Sequence, residues 1–165
     1  GVAKVYAVDV GYGQLAWKLR EDPRVVNIER TNFRYCEKGF FVDPIEIVVA
    51  DLSFISLEKI LEPLKAHLAP LADCVMLIKP QFEAGREKVG KKGVVRDPAT
   101  HKEVLDTFVE LALGLNFKIL GLTFSPVKGP EGNIEFLAHL TLEEKDGITP
   151  DTAAVVAQAH ETLKG

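Results

Sequence analysis

A chain of 165 residues with 47% hydrophobic content is enough for one domain with a real core and argues against disorder. Its formal net charge of −4 and pI near 5.6 speak against a wholly basic nucleic-acid binder, while leaving room for a concentrated basic patch. No signal-like segment and no apolar run near the roughly 20 residues of a bilayer span is found, and Cys36 and Cys74 have neither metal-ligand spacing nor disulfide-scaffold density, so both are expected to be reduced thiols of a soluble, cytoplasmic protein.

Val2 to Asp9 reads as a strand ending in a carboxylate, followed by the glycine-punctuated turn Val10-Gly11-Tyr12-Gly13 and a helix over Gln14 to Arg20. Arg24 to Glu29 is a second strand, and Ile45 to Asp51 a third, again ending in an acid. Ser56 to Leu68 carries Leu57, Ile60, Leu61, Leu64 and Leu68 at helical spacing, with Ser56 as N-cap and Pro63 as a kink. Cys74 opens a strand through Ile78, and a glycine- and lysine-rich segment from Pro80 to Pro98 leads to a helix over Ala99 to Leu115. Phe117 to Phe124 and Asn133 to Leu142 are the last strands; the link between them is too short for a helical crossover, so they are antiparallel. A helix over Thr149 to Leu163 closes the chain, with a stripe at Ala153, Val156, Ala157, His160 and Leu163 that packs on the sheet or serves an oligomer interface. The order predicts an α/β fold: a mostly parallel sheet with an antiparallel edge and helices on both faces.

The chemistry gathers at strand ends. In Val75-Met76-Leu77-Ile78-Lys79-Pro80, Pro80 lacks an N–H for the ladder, so Lys79 stands at the carboxyl end of a buried strand, where open α/β sheets bind ligands. Taken alone, a lysine there reads first as a surface residue at a loop mouth; that two other strands end or pass in the same way, at Asp51 and Glu135, reverses the reading. Asp9 suits the two hydroxyls of a ribose, or serves only as an acid at a helix N-terminus. Gly11-Tyr12-Gly13 is not the phosphate-cradling loop of a nicotinamide dehydrogenase.

Seven runs are spread along the chain: Tyr-Ala-Val-Asp-Val-Gly (6–11), Gln-Leu-Ala-Trp-Lys-Leu-Arg (14–20), Glu-Arg-Thr-Asn-Phe-Arg (29–34), Asp-Leu-Ser-Phe-Ile-Ser-Leu (51–57), Leu-Ile-Lys-Pro-Gln-Phe-Glu (77–83), Gly-Val-Val-Arg-Asp-Pro (93–98) and Gly-Asn-Ile-Glu-Phe (132–136). Together they resemble the TlyA or hemolysin A family of FtsJ-like, S-adenosylmethionine-dependent ribosomal RNA 2′-O-methyltransferases. The resemblance implies a Rossmann-like class I methyltransferase sheet over residues 1–165, with Asp9 holding the cofactor ribose and Asn32 and Phe33 near the adenine. Of the family's Lys-Asp-Lys-Glu catalytic set, it places the Asp on Asp51, the second Lys on Lys79 and the Glu on Glu135. The first lysine, the glycine-rich cofactor loop, the first strand and a small RNA-binding domain have no counterpart and are expected upstream. The first strand would lie between the strands ending at Asp9 and Asp51, so its lack leaves unpaired edges, and the 165 residues alone are expected not to turn over.

Methyl transfer to a ribose hydroxyl needs an aligned oxygen and a base for its proton. Lys79 is a base only when neutral, and a carboxylate about 4 Å away favours its ammonium form by up to roughly 4 kcal/mol at an effective dielectric near 20. A second lysine and the cofactor's sulfonium would push the other way, so the upstream lysine decides whether Lys79 is a base or a cationic orienter; Asp51 is expected to orient Lys79, and Glu135 to position the lysine or the substrate. Arg86, Lys88, Lys91, Lys92 and Arg96 against the single acid Glu87 suit RNA phosphates, or form a solvated loop, and Phe82 anchors that loop in the core or stacks on a base. The four histidines show no ligand spacing and no metal is assigned; Trp17 is expected in the core. Two other readings are a hemolysin-like membrane-active protein, disfavoured by the lack of a strongly basic amphipathic segment, and a noncatalytic RNA-binding module.

Overall fold

Short β-branched runs bounded by proline, glycine and acids become the strands of a computed structural model that describes residues 1–164. The chain divides into two compact units, Gly1–Phe40 and Phe41–Gly165. The first holds β1 (Val5–Val8) and β2 (Val25–Ile28), parallel with Val5 opposite Val25 and Val8 opposite Ile28, joined through the one-turn helix α1 (Trp17–Arg20). The Glu29 carboxylate fastens this crossover: it accepts from the Gly13 N–H at 3.0 Å and pairs with the Arg20 guanidinium. Trp17 is 71% exposed, contrary to the expectation of a core residue, because a helix this short presents it to solvent.

The second unit runs β3 (Ile45–Ala50), α2 (Glu58–Lys65), β4 (Leu68–Ile78), α3 (Pro80–Glu83), α4 (Pro98–Gly114), β5 (Lys118–Phe124), β6 (Phe136–Thr141) and α5 (Thr152–Thr162). Its sheet has the order β3-β4-β6-β5: β3 and β4 are parallel, and β6 is antiparallel to both β4 and β5. The antiparallel strand is therefore internal rather than at the edge. The α4 crossover carries β5 one place beyond β4, and the short link after β5 turns the chain back into the gap. The strands form two sheets, and among the described residues β1 bonds to β2 alone and β3 to β4 alone.

Two elements depart from their expected bounds. The helix predicted to reach Leu68 ends at Lys65, with Pro63 in its last turn, and Leu68 instead begins the eleven-residue strand β4. Ser56 caps one residue early: Leu57 occupies the N-cap position, while the Ser56 hydroxyl accepts from the Glu58 N–H at 3.2 Å. Asp97 and Asp151 cap α4 and α5 through the N–H groups of Ala99 and Ala154, both at 3.0 Å.

The core lies on one face of this sheet. Cys74, Met76, Ile78, Phe136, Leu140 and Ile119 are buried there with Leu105 and Ala112 of α4 and Val156 and Ala159 of α5. Burial pushes the Cys74 thiol up to about 12, which keeps it an inert packing group. The buried side of α5 is Thr152, Val156 and Ala159, with Ala153 and Ala157 turned to solvent. On the opposite face of the sheet, Ile47 and Val49 remain 66% and 78% exposed.

Candidate active site

The register of the second unit sets three charged residues on one rim. Ala50 pairs with Met76 and Ile78 with Phe136, so Asp51 follows β3, Lys79 follows β4, and Glu135 precedes the antiparallel β6 at the same end of the sheet. Extending the β4–β6 register by one residue sets Glu135 opposite Lys79. Pro80 stops β4 and starts α3 at its first position, and Lys79 keeps extended backbone at the junction. Its ammonium lies 2.6 Å from Asp51 Oδ1 and donates to Ser53 Oγ at 3.1 Å, with the lysine side chain 11% and the Asp51 side chain 67% exposed. A pair with so solvated a carboxylate orients the lysine more than it stabilises the fold.

Helix α3 is fixed from below by Glu83, whose carboxylate accepts from the Ser56 hydroxyl at 2.7 Å and the Leu57 N–H at 2.9 Å. Burial raises the Glu83 pKa above the usual carboxylate range, and these two hydrogen bonds oppose that rise. The loop from Asp51 to Ser56 is thereby tied to the end of β4. Within it, Phe54 adopts a left-handed backbone (φ 63°) and is 91% exposed, its ring 5.0 Å from that of half-buried Phe82. A bulky side chain held at positive φ is a strained arrangement of the kind that gathers at functional sites.

Glu135 is 5% exposed, accepts from Gln81 Nε2 at 2.9 Å, and has its backbone carbonyl bonded to the Ser125 N–H at 2.8 Å. Its carboxylate lies against Gly129 so closely that a Cβ there would fall 2.2 Å from Oε1. The nearby link is braced by Asn133, 3% exposed, whose Oδ1 accepts from the Val95 N–H at 3.0 Å and whose Nδ2 donates to Gly93 O at 2.9 Å and Pro130 O at 3.2 Å.

Arg86, Lys88, Lys91, Lys92 and Arg96 are all exposed. Lys88, Lys91, Lys92 and Arg96 line a shallow hollow of about 460 Å³ with Gly90 and Val94. Two one-turn 3-10 segments, Arg86–Lys88 and Lys91–Gly93, shape it, and buried Val94 and Val95 anchor it. Lys88 is also paired with Glu103. In the first unit, Asp9 follows β1, is exposed, and accepts from the Gly11 N–H through Oδ1 at 2.7 Å. Asn32 is exposed, with Oδ1 accepting from the Arg34 N–H at 3.1 Å, and Phe33 opens the 3-10 turn Phe33–Tyr35. The structure thus brings Asp51 and Lys79 into contact and sets Glu135 on their rim, while Asp9, Asn32 and Phe33 belong to the first unit.

The model of the FtsJ-like methyltransferase family matches residues 1–142. The chain belongs to this family. It is 50% identical over 170 residues to YqxC of Bacillus subtilis, named as a candidate rRNA methyltransferase, covering 99% of this chain and 60% of that one. It is 46% identical over 140 residues to the 16S/23S rRNA (cytidine-2′-O)-methyltransferase TlyA of Mycobacterium tuberculosis (85% and 52% covered), and 45% identical over 143 residues to Hemolysin A of Brachyspira hyodysenteriae (86% and 60%). The structure of a candidate hemolysin from Streptococcus thermophilus superposes with a TM-score of 0.91 at 46% identity, covering 99% of this chain and 60% of that one. The chain spans between about half and three fifths of the length of these relatives.

In this FtsJ-like chain, sequence reasoning passed over Ser53, Phe54, Gln81, Gly129 and Asn133. Ser53, Phe54 and Gln81 lie inside the two most distinctive runs, which was the available signal; Gly129 gave none without the pairing of β4 with β6. In the first unit Asp9 is an exposed carboxylate with one oxygen engaged by a backbone N–H, an acceptor of the kind that takes the hydroxyls of a ribose.

Proposed function

We propose that the whole protein transfers a methyl group from S-adenosylmethionine to a ribose 2′-hydroxyl of ribosomal RNA. The observation that carries this reading is the nearly buried Lys79 ammonium held by Asp51 and Ser53 at a strand-end rim that also bears Glu135. Asp9, Asn32 and Phe33 would hold the cofactor, which supplies an electrophilic methyl on a positively charged sulfur. Asp51 and Ser53 fix two directions about Nζ, and the attacking hydroxyl takes a third. Lys79 in its neutral form accepts the hydroxyl proton, and Asp51, 2.6 Å away, stabilises the ammonium that results. Glu135 positions the lysine or the nucleotide. Phe54, exposed and backed by Phe82, offers a ring on which a base stacks, and the basic hollow takes backbone phosphates.

The test is labelled methyl transfer to ribosomal RNA by the whole protein, followed by alkaline hydrolysis. Ribose methylation leaves an alkali-resistant dinucleotide carrying the label; label on a mononucleotide places the methyl on a base and overturns the reading. Hemolysin A names a relative, but among the described residues no helix is long and apolar enough to cross a membrane.

A further inference from the structure

The side chain of Gln81 is arranged in a way that its packing does not require. Its Nε2 donates to Glu135 Oε1 at 2.9 Å, while its own Oε1 is buried without a hydrogen-bond partner. A buried carbonyl oxygen left unpaired is unfavourable and rare, and each case calls for a cause. Turning the amide over would set that oxygen against the Glu135 carboxylate, oxygen to oxygen. The observed orientation gives up one acceptor in order to present a donor to a charged acid.

We propose that Gln81 is a positioning residue for the methyl transfer, holding the Glu135 carboxylate oriented with a neutral donor. The inference rests on the function proposed above. An arginine or lysine in this place would hold the carboxylate as firmly but cancel its charge at the rim; an amide restrains it and leaves the charge available to Lys79 or the nucleotide. Gly129 closes the other side, since a Cβ there would lie 2.5 Å from the Glu135 Cδ. Gln81 lies two residues after Lys79, on a helix whose first residue, Pro80, is buried, so one rigid segment sets both the lysine and the holder of the acid.

The test compares Gln81→Ala, Gln81→Glu and Lys79→Ala with wild type in the whole protein, measuring methyl transfer from about pH 6 to about pH 9 beside S-adenosylmethionine affinity and melting temperature. Gln81→Ala is expected to lower kcat about 10- to 100-fold, with KM for RNA and cofactor affinity changed less than about 2-fold. In Gln81→Glu the introduced carboxyl can donate to Glu135 only while the pair shares a proton, so its activity relative to wild type falls as pH rises; the relative activity of Gln81→Ala stays flat. Where Gln81→Ala melts early, Gln81→Asn replaces it, and the same fall in kcat is expected because its amide stops one methylene short. A kcat within about 2-fold of wild type in a folded Ala or Asn variant, or a flat pH ratio in Gln81→Glu, overturns the proposal. Wild-type turnover by Lys79→Ala overturns the underlying function instead, whereas an inactive Lys79→Ala beside a fully active Gln81→Ala overturns only the role of Gln81.

Discussion

Replacing Gly129 by alanine separates the placement of Glu135 from the stability of the fold. Gly129 has φ −74° and ψ −172°, extended backbone open to any residue, so the added methyl group carries no conformational penalty. The clash is steric and local: the new Cβ would stand 2.2 Å from Glu135 Oε1, whereas ordinary contact begins at 3.4 Å. The carboxylate must therefore retreat by about 1 Å, a displacement near a reacting centre that can lower turnover about 100-fold. The same retreat stretches the 2.9 Å bond from Gln81, and a hydrogen bond to a charged group contributes about 1.5–3 kcal/mol. Against this, exchanging glycine for alanine at a compatible position stabilises by about 0.4–1 kcal/mol through the unfolded chain. Gly129→Ala should thus lose about 0.5–2.6 kcal/mol of stability in urea unfolding, as the difference of those two terms, while methyl-transfer kcat in the whole protein falls by roughly two orders of magnitude. A folded Gly129→Ala protein with wild-type kcat would refute the placement of Glu135 at the reacting centre.

Three further outcomes are expected. Asn133→Ala removes three hydrogen bonds and strands the N–H of Val95, itself 2% exposed, so urea unfolding should show a loss of about 2–4 kcal/mol; a loss below about 1 kcal/mol would contradict the bracing role. His101, fully buried, bonds through Nε2 to Val95 O at 3.0 Å and through Nδ1 to His160 Nε2 at 2.8 Å, and both imidazoles are pushed below their ordinary pKa, chiefly by burial. Nearby Asp97 opposes the shift on both rings, while Lys128 adds to it at His160. The unfolded chain then binds more protons, so this contribution is present above the unfolded value of 6.5 and is lost as pH falls through the lowered folded values. The melting temperature should drop between pH 7 and pH 5 more in wild type than in His160→Gln, and parallel curves would count against it. Binding of the whole protein to ribosomal RNA should weaken steeply with salt, and Lys91→Gln with Lys92→Gln should make the slope of log affinity against log salt shallower by about 0.7 per lost phosphate contact; an unchanged slope would remove the hollow from the RNA path.

Much of the rim was legible in the sequence because its logic is local. A lysine followed by proline after four apolar residues marks a strand end, and Asp51 closes a similar run. What could not be read depended on pairing between distant segments. The bond from Gln81 to Glu135 spans 54 residues and exists because β6 enters the sheet antiparallel beside β4. The proximity of Gly129 to that carboxylate follows from the same turn of the chain. Strand β4 was read short because Leu68 continues the 3.6-residue stripe of α2, while Pro63 and the bond from Ile45 N–H to His67 O draw the chain into the sheet. Trp17 looked like core on residue type alone, which says nothing about whether another layer covers it.

The central claim, that Lys79 receives the proton of the ribose hydroxyl, is tested most directly by single-turnover methyl transfer with Lys79→Met in the whole protein, under saturating ribosomal RNA and cofactor. Methionine keeps an unbranched stem one atom shorter than that of lysine and removes the amine. The account predicts that both ligands still bind and that the rate of label transfer falls at least about 100-fold; a transfer rate equal to wild type would contradict it.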